Sequence, residues 1–355
     1  MSILRNHYIR TFLKLVAANA FPQELFNQKT EIQHIKELFK SYVKHFEIEP
    51  HSYCNRTCWF CPNSSVDRIS TNTSFNKSLL LKILRELADI NYDQSFIWAG
   101  YCEPLAEETI FEYIRLTKDM LPHAYQRLYS NGDYLTEKII RRLETAGLDQ
   151  LRVSLYPLSD YDLEKPKLLK SLENRTGLRI VQKTKQYNGL QLIGSSILII
   201  VQVKDFKPKN MYSRGGYLLN ESGYGNYVRT MPCISPIVHL SVAYNGKCML
   251  CCQVRPDVKE HESAIIGDLN NDNYSVFHYY RDLASSREAL LRPGIKKGVC
   301  LTCSFNPFGG GPYKLGRIDL ISKVLNNVPG VKFLMNSLWL YPRMDRERYK
   351  VSGDP

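Results

Sequence analysis

At 355 residues, 44% of them hydrophobic and 23% charged, the chain has the composition of a soluble globular protein. Its length suits one large α/β domain, or a large domain and a small one, and no stretch of about 18 uncharged apolar residues occurs, so no membrane span is expected. The net charge of +12 favours anionic partners, but the Lys and Arg residues form no long run and no stripe interleaved with aromatics, so nucleic acid is not expected among them.

Residues 1–42 read as an N-terminal helical extension, with Ile32, Ile35, Leu38 and Phe39 at helical spacing. Arg5 and Arg10 ahead of the apolar stretch Phe12 to Phe21 resemble a weak signal peptide ending in Ala18-Asn19-Ala20. Lys14 breaks that run, and the stretch is read as an amphipathic helix of a cytoplasmic protein. Val43 to Pro50 reads as a strand. Helix and strand then alternate: helix Ser78–Ile90, strand Ser95–Ala99, helix Glu107–Met120, strand Arg127–Ser130, helix Leu135–Ala146 and strand Leu151–Leu155. Strands at Leu178–Gln182 and Ile197–Val203 follow. This order predicts a parallel sheet with right-handed crossovers and ligands at the carboxyl ends of its strands.

Beyond about residue 205 the pattern changes. Leu240–Tyr244 and Lys247–Cys251 flank Asn245-Gly246, a strong hairpin signal. Residues 211–310 are expected to form a small cysteine-rich module, and 311–355 a basic, helical C-terminal extension. Residues 43–210 form the main domain in this division.

Ten cysteines at short spacings in a large chain point to metal ligation in a reducing compartment rather than to disulfides. Cys54, Cys58 and Cys61 have the spacing C-x3-C-x2-C just after the first strand. Three thiolates hold three irons of a [4Fe–4S] cube and leave the fourth open to a ligand. The alternatives are a zinc site, which more often pairs two C-x2-C units, and a ferredoxin-like cluster with its fourth cysteine elsewhere. At these residues the chain resembles the radical S-adenosylmethionine (SAM) superfamily, over roughly residues 43–310. The resemblance implies a partial (β/α)6 TIM-type barrel, with SAM on the open iron and reductive cleavage to a 5′-deoxyadenosyl radical. It implies that Phe60 lies near the adenine. Ala99 to Leu105, with Gly100 and Glu103, looks like the family's Gly-Gly-Glu-Pro segment, although Tyr101 and Cys102 precede the Glu-Pro here. Ser130-Asn131-Gly132 is similar to the Thr-Asn-Gly turn after the third strand, and Ser154 matches a ribose- or carboxylate-contacting serine. Each of these also has a plain reading as turn chemistry.

Cys233, Gly246 and Cys251 give C-x12-G-x4-C, and Cys300 and Cys303 form a C-x2-C pair. Four thiolates fully ligate a second [4Fe–4S] cluster, or a structural zinc. The layout resembles the SPASM/Twitch subgroup, and because no cysteine follows Cys303 the shorter Twitch form is the better match. A closed cluster relays an electron from a substrate radical, which suits oxidation or epimerisation of a sugar or aminoglycoside-like molecule. An electron donor such as flavodoxin or ferredoxin is implied. Modification of a ribosomally made peptide is the second reading, and the segment before Val43 is short for a leader-binding domain. A non-catalytic iron–sulfur electron carrier is the third, and it leaves Gly100, Asn131 and Ser154 unexplained. Cys248 and Cys252 read as packing residues. Cys102, at the barrel mouth, is a candidate hydrogen-atom donor, against packing as the common role of a lone buried cysteine.

Overall fold

The computed structural model describes residues 21–305, apart from 158–160, 184–189, 206–210, 219, 221–225, 231 and 293. The helical readings of residues 1–20 and of 311–355 lie outside the described residues. Within the expected N-terminal extension, only Ile32–Tyr42 is an α-helix (α1). Before it, Gln23–Phe26 makes a single 3₁₀ turn after Pro22, and the Asn27 side chain takes the Lys29 N–H at 2.9 Å instead of letting a helix continue.

Chain order then runs β1 (His45–Ile48), α2 (Lys77–Asp89), β2 (Ser95–Trp98), α3 (Thr109–Met120), β3 (Tyr125–Ser130), α4 (Glu137–Ala146), β4 (Gln150–Leu155) and α5 (Tyr161–Thr176). The local signals are readable. Asn76 caps α2 by accepting the Leu79 N–H, Thr136 caps α4 in the same way, and Gly147, at φ +89°, ends α4 in the left-handed region. β5 (Arg179–Lys183), β6 (Leu190–Ile193) and β7 (Leu198–Val203) follow. Next come a short α6 (Ser235–Val238), β8 (His239–Val242), β9 (Lys247–Met249), β10 (Ile265–Asp268), α7 (Val276–Asp282) and α8 (Ala284–Leu291).

Among the described residues, all ten strands share one open sheet in the order β10-β9-β8-β1-β2-β3-β4-β7-β6-β5. The stretch from β8 through β1, β2, β3 and β4 to β7 is parallel throughout, as the alternation of strand and helix predicts. Both flanks are antiparallel. The strand expected at 178–182 is therefore an edge, turned back by β6, and not a member of the parallel core. The parallel strand on the far side of β1 is β8, from well beyond residue 205. The sheet runs without a break across residue 210.

Strand registers sort the side chains cleanly into two faces. Phe46, Ile48, Phe96, Trp98, Leu128, Leu151, Val153, Leu155, Ile199, Val201, Leu240 and Val242 join the apolar core with the helices. The one polar group of note on that face, Gln126, is satisfied: it accepts from Trp98 Nε1 at 3.0 Å and donates to the Ile114 carbonyl at 2.9 Å. The opposite face carries His45, Glu47, Arg127, Tyr129, Arg152, Ser154, Gln202, His239 and Ser241. A polar sheet face of this kind is a place for a ligand, not for packing.

Candidate functional site

The cysteine loop leaves the carboxyl end of β1 and is held on both sides. Cys54 N–H donates to the Arg68 carbonyl at 3.0 Å, and Cys61 N–H to the Cys58 carbonyl at 2.9 Å. Between the cysteines, Arg56 grips Asp133 through Nε and Nη2 at 2.6 and 2.5 Å, while Asn55 Nδ2 reaches the same carboxylate at 2.8 Å. Asn131 Nδ2 donates to Asn55 Oδ1 at 2.8 Å. The loop after β1 is thus clamped to the loop after β3.

Three thiols meet here. Burial pushes Cys54 up to about 12; the Arg56 backbone N–H opposes the rise, and Glu103, Cys61 and Cys58 add to it. Burial also raises Cys58 to about 11, with the neighbouring Cys61 thiol adding and Arg56 opposing. Cys54, Cys58 and Cys61 are therefore close enough for each charge to act on the others. The second set converges too. Cys251 is raised by burial and by Cys252, Cys303, Cys300 and Cys233, and Cys300 is raised to about 12 by burial, Cys233 and Cys303. Arg229 beside Cys233, Cys300 and Cys303 is the nearby counter-charge. All ten cysteines are free. Among the described residues no group of three or more His, Cys, Asp or Glu side chains is placed to hold a metal ion.

Glu103 has a different part from the one expected. It is 1% exposed, and its carboxylate accepts from Ser130 Oγ at 2.7 Å, Asn131 N at 2.6 Å and Leu105 N at 3.1 Å, while its own N–H donates to the Tyr53 carbonyl. It ties three loops together, and burial raises it to about 7 against those bonds. Gly100 has φ +139°, and a Cβ there would lie 2.7 Å from Glu49 Cγ. Glu49 cannot yield: it accepts from Tyr101 N at 2.8 Å and from Arg68 at 3.1 Å. Only glycine lets this segment run so close to β1. Ser154 is hydrogen-bonded to Tyr156, whose ring lies 5.1 Å from that of Phe60, with the Arg56 guanidinium 5.6 Å above it. Cys102 is half-buried. Burial and two carboxylates, Glu49 and Glu103, raise its thiol, with Arg68 opposing and Cys54 close by.

Several site residues escaped the sequence reading. Arg68 donates to Glu49, Asp257 and the Ser52 carbonyl; Arg255 grips Asp257 and donates to Asn63, which donates to the Tyr101 carbonyl. This buried network joins the first cysteine loop to the chain just after Cys251. Cys252, read as packing, lies beside His239, and His239 Nε2 is 3.3 Å from Glu47. The signal present in the sequence was period-2 alternation: Arg152, Ser154 and Tyr156 interleave Leu151, Val153 and Leu155, which marks a polar sheet face.

Residues 48–188 match the family model of the Radical SAM superfamily. Over this stretch, about two fifths of the chain, the sequence is similar to the radical SAM domain. The S-adenosyl-L-methionine-dependent 2-deoxy-scyllo-inosamine dehydrogenase of Niallia circulans is 32% identical over 108 residues, 30% of this chain and 43% of that protein, so the match spans less than half of that relative. The crystal structure of BtrN in complex with AdoMet and 2-DOIA is similar with a TM-score of 0.51 at 20% identity, over 71% of this chain and 88% of the other. An open conformation of BtrN gives 0.47 at 19%, over 71% and 87%. The first likeness shows the shared fold, a parallel-dominated partial TIM-type barrel whose sheet is left open.

A radical SAM domain implies a [4Fe–4S] cluster and AdoMet. The donor chemistry of Cys54, Cys58 and Cys61 fits the cluster: three neighbouring thiols on one loop, clamped by Arg56 and Asp133. Raised thiols must lose their protons when iron enters, so assembly is coupled to proton release.

Proposed function

We propose that this chain is a radical SAM enzyme of the SPASM/Twitch type, an oxidoreductase or epimerase acting on a small polar molecule. Cys54, Cys58 and Cys61 hold the SAM-binding cluster, and Cys233, Cys251, Cys300 and Cys303 hold an auxiliary one. The observation that carries the reading is the mutual approach of thiols in two separate sets, linked through Asn63, Arg255 and Asp257. The family match and the dehydrogenase relative support it.

When bound and reduced, the first cluster and SAM supply a 5′-deoxyadenosyl radical that takes hydrogen from an unactivated C–H bond. The chain's own residues prepare the place. The Phe60 and Tyr156 rings, tilted 38° to each other, offer an apolar wall suited to an adenine. Glu103 keeps the loops after β2 and β3 at a fixed spacing through Ser130 and Asn131. His239 stands on the polar face beside Glu47 and Cys252, which hold its imidazole in the protonated form against burial. The ten free thiols suit a reducing cytoplasm, and a flavodoxin- or ferredoxin-type protein is the electron donor in this reading.

Anaerobic reconstitution is expected to give about eight irons per chain, four per cube, and the reduced protein to form 5′-deoxyadenosine from SAM. Replacing Cys54, Cys58 and Cys61 together by Ala halves the iron and abolishes the product. A reduced, iron-replete protein that yields no 5′-deoxyadenosine sinks the proposal.

A further inference from the structure

Cations collect at the carboxyl ends of β4 and β7, where open α/β sheets receive ligands. Arg152 Nη2 and Lys204 Nζ both donate, at 2.7 Å each, to the same neutral acceptor, Gln202 Oε1. The charge of Arg214 acts on Lys204 from the opposite side. Burial and these two guanidiniums pull the Lys204 ammonium down to about 8. Among the described residues neither Lys204 nor Arg214 has a carboxylate at ion-pair distance; Arg214 reaches only Gln253 Oε1, at 3.4 Å. Packing like charges together at a half-buried site is costly unless an anion joins them.

Two independent features frame this spot. The Tyr101 hydroxyl is buried without a hydrogen bond, and the Arg214 guanidinium lies 5.9 Å from its ring. Tyr101 also interacts with Cys61 of the first cysteine set and with Cys252. Arg214 itself has φ +48°, a left-handed conformation that a residue with a Cβ seldom adopts, followed by Gly215 at +64° and Gly216 at +88°. Reciprocal bonds between Ser213 and Ser304, at 2.8 and 2.9 Å, pin that loop to the chain just after Cys303. Backbone strain is thus maintained at the residue that delivers the third cation.

We infer that Lys204 and Arg214, with the Tyr101 hydroxyl as a neutral donor, form an anion subsite for an acidic group, phosphate or carboxylate, of the substrate. The inference rests on the radical SAM reading for the word substrate, and on the shared Gln202 acceptor, the Arg214–Tyr101 contact and the unpartnered Tyr101 hydroxyl for the anion. The same field disfavours an ammonium-bearing molecule at this end of the site.

Titration calorimetry of the reconstituted protein with inorganic phosphate tests it, with and without saturating SAM. Phosphate is expected to bind in both conditions. Lys204→Gln and Arg214→Gln each weaken it tenfold or more, and Lys204→Arg retains it. Gln202→Glu guards against a merely unfolded variant: a carboxylate set between Arg152 and Lys204 is expected to abolish phosphate binding while raising the melting temperature. Equal affinity in all these proteins overturns the subsite. Complete exclusion of phosphate by SAM overturns the assignment to substrate, since the cations then serve the SAM carboxylate. Formation of 5′-deoxyadenosine is scored separately. A protein that binds phosphate as described but never cleaves SAM loses the radical reading and keeps the subsite.

Discussion

Asp133 takes bonds from two consecutive residues of the cysteine loop, Asn55 and Arg56, and so decides where Cys58 lies relative to β3. The Arg56 and Asp133 side chains are 23% and 32% exposed, so solvent screening keeps the bidentate pair modest. Asp133→Ala is expected to cost about 1 kcal/mol in urea unfolding and to leave reconstituted iron more easily chelated. Unchanged iron retention would show that the clamp does not position the loop. The cysteines and Gly100 were legible because spacing and a demand for positive φ are written in residue type. Glu103 was legible as a site residue, but its role was not. Nothing in a Glu-Pro pair says that Ser130, Asn131 and Leu105 will occupy its carboxylate. Tyr101, Lys204 and Arg214 come from three different segments, and only the fold brings them near one another.

The parallel strands and the helices between them were readable because each buried strand is a short apolar run and each helix has an apolar stripe and a stop. Two elements were not. α5 contains Pro166 and lacks a clean apolar stripe, so its periodicity is weak. β5 looks like any other short strand, and its antiparallel pairing with β6 depends on a turn that periodicity does not register. The asymmetry has a measurable result. β1 and β2 are bonded on both sides inside the sheet, whereas β5 and β10 each have one free edge. In native-state hydrogen exchange, β1 and β2 amides are expected to open only with global unfolding, and those of β5 and β6 by local fraying. Equal protection across the sheet would contradict this order.

Across the whole molecule, the buried charge network is what makes one site of two. Asp257 neutralises both Arg68 and Arg255, which are 2% and 0% exposed, and Arg255 reaches Asn63 two residues after Cys61. Asp257→Asn leaves the buried Arg255 without its carboxylate and Arg68 with Glu49 alone, and is expected to destabilise by about 3 kcal/mol. It should lower iron occupancy at both cysteine sets together, read by iron content and by the two paramagnetic signals. Loss confined to the second set would show that the network is local. The place of β8 has a consequence for how the protein is made. Ser241 bonds to Glu47 across 194 residues of chain, and His239–Val242 is the outer neighbour of β1. During synthesis, everything from β1 to β7 emerges while one flank of β1 still bears open N–H and C=O groups. A nascent chain paused near residue 210 is therefore a sticky half-sheet. Protection comes when the residues that follow Cys233 arrive, so the segment that gathers the second set of thiols also completes the sheet beneath the first.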